Sequence, residues 1–375
     1  MTFPALTPVD APVMTVISAV DPALLDLAEL ALTGCGARVF SAQLRLEPTL
    51  EFALTESPWG DGGDADFDAQ PQTECVTCGL RGALGELARR TLRVPGDSVI
   101  VLLPACVELA HLCPGLQEEL AGIGVCLTRA AHLLDADRAR EQLLRHEQLS
   151  ELPQGDVDFS QFGRSALLAA DAERCAAEVH LTNLAYADAA VVVGSSERGV
   201  ELIEHLQSLE GMLVPGLSEL EPRVLLGRAH DCEQSLQRAH PVTLSAGGGR
   251  THSGTWTLDL HGDRPFHPER LRQVAEQLGQ VGCVVRGCFW LPSRPTEALV
   301  WESIGGVVSV GSAGSWRDLD APARTHLVVT GVGDEGCKAS FERAFADALL
   351  RPEEMASALA WDGKQDGLDD WFSEV

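Results

Sequence analysis

Two hydrophobic patterns divide the chain. In the first, short unbroken apolar runs alternate with helical spacing. Residues 13–20 (Val-Met-Thr-Val-Ile-Ser-Ala-Val) read as an opening strand. Asp21 and Pro22 then start a helix, with Asp as N-cap and Pro at the first helical position. Its buried side carries Leu24, Leu25, Leu27, Leu30 and Leu32, and Gly34 and Gly36 end it. Residues 37–44 follow as a strand. Residues 98–103 and 189–194 are continuous apolar runs of the kind buried on both faces of a parallel sheet. Helical spacing recurs at 80–92, 107–121, 137–149, 169–184 and 197–209, and further strands are expected at 124–128 and 212–215. Residues 153–162 read as a polar loop. This alternation predicts an α/β domain over residues 1–240, with helices on both faces of a parallel sheet.

The second pattern begins beyond a linker at residues 241–253. Residues 255–260 read as a strand, and a helix opens at Pro268 with Leu271, Val274 and Leu278 on its inner face and Gly279 as its stop. Three strands are expected in quick succession at 282–291, 298–303 and 307–311, a fourth at 325–329, and a closing helix at 337–349. That order predicts a small α+β domain over residues 254–350. Residues 351–375 form an acidic tail with Trp361, Trp371 and Phe372, packed on the body or offered to a partner.

Charge narrows the function. With 28 basic against 55 acidic side chains the net charge is −27, which repels phosphate backbones and argues against direct nucleic-acid binding. Basic protein partners stay open. No apolar run is long enough for a membrane span, and no basic segment followed by an apolar block marks the N-terminus as a secretion signal. The cytoplasm is the expected compartment. From Glu56 to Glu74 there are six acids and no base, with Pro58, Gly60, Gly62 and Gly63, which reads as a flexible acidic loop over residues 51–74. Asp64-x-Asp66-x-Asp68 resembles the start of a calcium loop, but Ala69 and Cys75 stand where that loop needs Gly and Glu.

The 11 cysteines are scattered except for Cys75 and Cys78. An odd count without a secretion signal argues against a disulfide framework, and the scattered thiols read as small buried hydrophobes. Cys75-Val76-Thr77-Cys78 precedes a helix-forming run, so it reads as a loop at a helix mouth where both sulfurs can face one cavity and the thiolate is favoured. Zinc needs three or four ligands. Cys75 and Cys78 supply two, and Glu74, another acid of the loop or a distant His would complete the shell. Inert thiols and a redox pair are the competing readings. No Gly-x-Ser-x-Gly elbow and no His-Glu-x-x-His motif occurs, so no catalytic residue is assigned. His267 reads as a helix-start packing residue. Trp290, Trp301 and Trp316 read as core.

Arg264-Pro265-Phe266-His267-Pro268-Glu269-Arg270-Leu271, then Val284 through Leu291 (Val-Val-Arg-Gly-Cys-Phe-Trp-Leu), Trp301, and Gly311-Ser312-Ala313-Gly314-Ser315-Trp316 follow in order through the second domain. Together they resemble the C-terminal domain of CobW-type proteins. That resemblance implies an N-terminal domain of the P-loop GTPase kind, a Cys-x-Cys-Cys motif, and in several members GTP-dependent zinc delivery. The motifs of the first domain depart from it. Ser18-Ala19-Val20-Asp21-Pro22-Ala23-Leu24-Leu25 has neither the glycines nor the lysine of a phosphate cradle. Leu102-Leu103-Pro104 lacks the magnesium-site acid, and Gly194-Ser195-Ser196-Glu197 keeps only the last position of the guanine-reading motif. The expected fold is therefore a P-loop-NTPase-like domain with a degenerate nucleotide site. No nucleotide-binding residue is assigned, and GTP hydrolysis is not expected. The resemblance places Thr77 where the family has its middle cysteine and leaves Arg81 in its family place. A divergent actinobacterial branch of the family recruits a ribosome hibernation factor when zinc is scarce. The Cys-x-x-Cys motif, the phrase Glu354-Met355-Ala356-Ser357 and the acidic tail resemble that branch. The expectation is a non-enzymatic, zinc-responsive adaptor for a protein partner. A GTP-dependent zinc metallochaperone is the alternative.

Overall fold

The apolar runs become the middle of a sheet. The computed structural model describes residues 10–45, 51–58, 67–69, 75–105, 107–149, 174–333, 335–361 and 363–372. In chain order the elements are β1 (Val13–Ser18), α1 (Pro22–Ala31), β2 (Arg38–Arg45), β3 (Glu51–Glu56), β4 (Phe67–Ala69), α2 (Val76–Thr91), β5 (Ser98–Leu102), α3 (Leu109–Gly122), β6 (Cys126–Asp135), α4 (Ala139–Leu144), α5 (Ala176–Tyr186) and β7 (Ala189–Val193). They continue with α6 (Glu197–Leu206), β8 (Met212–Pro215), α7 (Pro222–Leu226), α8 (Cys232–Ala239), β9 (Thr255–Gly262), α9 (Pro268–Leu278), β10 (Cys283–Leu291), β11 (Arg294–Ile304), β12 (Val307–Ser315), β13 (Thr325–Val332) and α10 (Glu335–Ala348). No helix among the described residues is long and apolar enough to cross a membrane.

The chain forms two compact units. The first comprises residues 1–138, 147–196 and 210–236; the second comprises 139–146, 197–209 and 237–375. In the first unit the sheet order is β4-β3-β2-β5-β1-β6-β7-β8. Strands β2, β5, β1, β6, β7 and β8 are parallel neighbours, which is the architecture expected of buried apolar runs. Ile17, Ile100, Leu102, Leu133, Val191 and Leu24 share one core. The sheet extends past β2 through the antiparallel strands β3 and β4. This corrects the reading of residues 51–74 as loop at residues 51–56 and 67–69; residues 59–66 and 70–74 lie outside the described residues. Phe52 and Leu54 are fully buried, and their two-residue spacing holds β3 on the sheet. The acidic run that follows had outweighed that signal. Asp68 lies in β4, while Asp64, Asp66 and Glu74 lie outside the described residues.

The second unit carries an antiparallel sheet in the order β12-β11-β10-β13-β9. Helices α9 and α10 pack on one face, where Trp301, Phe289, Phe266, Phe341 and Leu327 are fully buried. Two helices of the N-terminal sequence, α4 and α6, belong to this unit. A buried carboxylate explains α6. Glu201 accepts hydrogen bonds from the amides of Ser253 (2.9 Å) and Thr255 (2.9 Å), at the entry to β9. His205 adds contacts to the Thr257 hydroxyl and the Arg250 carbonyl, each 2.9 Å.

The motif residues of this unit act structurally. Arg270 makes a two-point ion pair with Glu354 (2.9 and 2.7 Å) and also donates to the Leu349 carbonyl. His267 caps α9 by its backbone, and its ring stands edge-on to Trp361. The tail packs on its own unit: Trp371 meets Trp301 at 6.0 Å, and Arg294 lies over the Phe372 ring.

Gly247 and Gly249 serve close approach to α6. A Cβ on Gly247 would stand 2.3 Å from the His205 carbonyl oxygen, whereas one on Gly248 would meet nothing within 4 Å. Gly247→Ala is therefore expected to destabilise by about 1–3 kcal/mol, since the neighbour is backbone and cannot give way. Gly248→Ala is expected to leave stability unchanged. Urea denaturation followed by Trp fluorescence measures both.

Candidate functional site

Helix α2 starts at the cysteine pair rather than after it. Cys75 is the N-cap, with an extended backbone, and Cys78 lies in the first helical turn. The helix needs partners for its first amides, and the Cys75 sulfur supplies one by accepting from the Cys78 amide at 3.3 Å. Both sulfurs are partly exposed. Hydrogen bonds from the Cys78 thiol and amide hold the Cys75 thiol below its usual range, and Arg81 adds positive charge. The Cys78 thiol, donating to Cys75, is pushed up. The pair thus favours one thiolate beside one thiol. Arg81 reaches across to α3, within 3.9 Å of Glu119, where Gly115 leaves room for its guanidinium. Among the described residues no third ligand group joins the two sulfurs.

Of the other described cysteines, Cys113, Cys126, Cys175, Cys232, Cys283 and Cys288 are buried. Cys35 and Cys337 are half-buried. Cys283 and Cys337 stand 3.8 Å apart, sulfur to sulfur.

The turn where a P-loop would sit is short. Only Ala19, Val20 and Asp21 separate β1 from α1, and the first two are fully buried. Asp21 Oδ1 accepts from the Ala23 amide at 2.9 Å, and its other oxygen lies 3.5 Å from Arg138. The loop after β7 is met in the same way: the amides of Ser195 and Ser196 both donate to Asp137 Oδ1, at 3.1 and 2.8 Å. Beneath this edge lies a polar chain that sequence reasoning missed. Ser18 Oγ meets His132 Nδ1 at 2.8 Å, and His132 Nε2 meets His180 Nδ1 at 2.9 Å. Burial pushes His180 down to about 3 and holds His132 well below its ordinary value, so both rings are neutral at pH 7. A His inside an otherwise apolar strand, Ala130-Ala131-His132-Leu133-Leu134, was the available signal.

The second unit holds another group of ligand-bearing side chains. The donor atoms of Asp259, His261 and His326 all lie within 4.8 Å of one another.

Comparison with known proteins gives these likenesses. The description "Cobalamin synthesis protein cobW C-terminal domain" matches residues 255–349. The zinc chaperone Rv0106 of Mycobacterium tuberculosis is 25% identical over 339 residues, covering 80% of this chain and 79% of that protein. An uncharacterized Mycobacterium bovis protein, Mb0109, matches to the same extent. Among solved structures, the Zn(II)-bound YjiA GTPase from E. coli aligns over 91% of this chain and 100% of its own, at 12% identity and a TM-score of 0.36. Residues 255–349 thus match the CobW C-terminal domain, and most of the chain is similar in sequence to the mycobacterial zinc chaperone.

Proposed function

We propose that this protein is a non-enzymatic, zinc-responsive adaptor that binds zinc through Cys75 and Cys78 and recruits a protein partner. The observation that carries the reading is the Cys75 sulfur at the start of α2, where the Cys78 amide and Arg81 favour the anionic form that a metal takes. Glu74, adjoining the pair, is the proposed third ligand. The name of the mycobacterial relative, a zinc chaperone, supports the same metal.

Loss of nucleotide chemistry is part of the proposal. A phosphate at the start of α1 would meet the Asp21 carboxylate, which already accepts from the Ala23 amide. The Ser195 and Ser196 amides are likewise taken by Asp137. Like charges at these two positions oppose a triphosphate, and the P-loop lysine that would offset them is missing from the sequence. The partner fits the branch resemblance: a ribosome hibernation factor, or a basic ribosomal protein attracted by a chain of net charge −27.

Four measurements test the reading. Zinc titration of Cys75→Ser/Cys78→Ser is expected to show the zinc equivalent held by the pair weakened by more than about a hundredfold, because loss of outer partners alone costs ten- to a hundredfold. Equal zinc affinity in variant and wild type removes the site. In the metal-free protein at pH 7–8, iodoacetamide is expected to alkylate Cys75 before Cys78. The sign follows from the lowered Cys75 value, which leaves more of it as thiolate at any pH below the ordinary thiol range. Mass spectrometry of the labelled peptide reads the order. Calorimetry with GTP and magnesium is expected to show no binding tighter than about 10 μM, about −7 kcal/mol; tighter binding favours the GTP-dependent chaperone instead. Recruitment is read from ribosomes sedimented out of zinc-starved cells with and without the gene, and unchanged co-sedimenting proteins count against it.

A further inference from the structure

Strand β9 places Asp259 and His261 two residues apart, so both side chains lie on one face of the sheet. It is the face opposite Leu258 and Leu327, which belong to the core under α9 and α10. The antiparallel register sets His326 of β13 directly across from His261. The two imidazoles stack, with centroids 4.2 Å apart and planes within 8°. Both Nε2 atoms reach the same carboxylate oxygen, Asp259 Oδ1: His326 at 2.7 Å and His261 at 3.0 Å.

The three side chains differ in freedom. His326 is buried, at 4% exposure, and its backbone is pressed by β10, where a Cβ on Gly287 would come within 2.0 Å of the His326 carbonyl oxygen. Asp259 and His261 are exposed. One ligand is therefore fixed by the fold, while the other two are open to solvent.

We infer that Asp259, His261 and His326 form a second zinc-binding site, carried by the CobW C-terminal domain and independent of Cys75 and Cys78. Two imidazole nitrogens and one carboxylate oxygen suit zinc and its first-row neighbours, whereas calcium and magnesium take oxygen ligands. Three protein ligands with a solvent-facing side leave a fourth position for water, the arrangement of an open, exchangeable site. Each imidazole would ligate through Nε2 as its Nδ1–H tautomer, with Nε2 turned from Asp259 to the metal. The acidic surface raises the local concentration of cations around it.

The test uses the full chain carrying Cys75→Ser/Cys78→Ser, so that a failure of the cysteine site and a failure of this one are read apart. Zinc is titrated by calorimetry, and Co²⁺ serves as a spectroscopic probe. The expected result is that this variant still binds zinc and gives a Co²⁺ spectrum without thiolate charge transfer. Adding His261→Ala or, separately, Asp259→Asn is expected to weaken binding at least about tenfold. Both substitutions fall on exposed side chains, and circular dichroism checks that the fold is kept. The inference is overturned if the Cys75→Ser/Cys78→Ser variant binds no zinc. It is equally overturned if its affinity stays within about twofold in both added variants. Wild-type chain carrying only His261→Ala reports the cysteine site alone.

Discussion

Amide groups freed at the start of a helix or in a tight loop have to be met, and in the first unit the chain meets them with its own side-chain acceptors. Asp21 takes the first turn of α1, Cys75 takes that of α2, and Asp137 takes the loop after β7. A parallel sheet gathers such ends along the carboxyl side of its strands, where open α/β sheets bind their ligands. Two of these three positions are closed by carboxylates, and the third is closed by a sulfur, an atom type that soft metals favour. That difference directs the functional reading toward a soft cation and away from a phosphate.

The second unit is governed by a different constraint. An antiparallel sheet has two faces, and helices α9 and α10 cover one of them with the aromatic core. On the other face, α6 is held by the Glu201 carboxylate and the His205 ring to the entry of β9. Burying a carboxylate is costly unless its oxygens are hydrogen-bonded. Glu201 therefore fixes both the helix and the polypeptide that leads into the sheet. The Gly247 and Gly249 positions follow from that closeness. Farther along the same face, the strand period leaves Asp259, His261 and His326 together.

Much of this was legible from local signals. Unbroken apolar runs announced β1, β5 and β7, and their alternation with helices announced a parallel sheet. Asp21 and Pro22 marked the start of α1 at its observed residue. The order of motifs from Arg264 to Trp316 pointed to the C-terminal domain. Errors arose where two local signals competed. Charge hides the alternation of Phe52 and Leu54 in β3, and the strong helix-forming run after Cys78 hides the N-cap at Cys75, where α2 begins. The helix expected at 137–149 is only the short α4, and the strand before it, β6, continues to Asp135.

By itself the sequence determined what depends on neighbours in the chain: the strand and helix periods, the caps, the glycine stops, the charge, and the Cys75/Cys78 spacing. Tertiary structure alone decided what depends on register between distant strands. His261 and His326 are 65 residues apart, and only the pairing of β9 with β13 stacks their rings. Ser18, His132 and His180 become one buried chain only because β1 and β6 are neighbours and α5 packs beside them. Contacts of that range carry no period along the chain, so no local pattern records them.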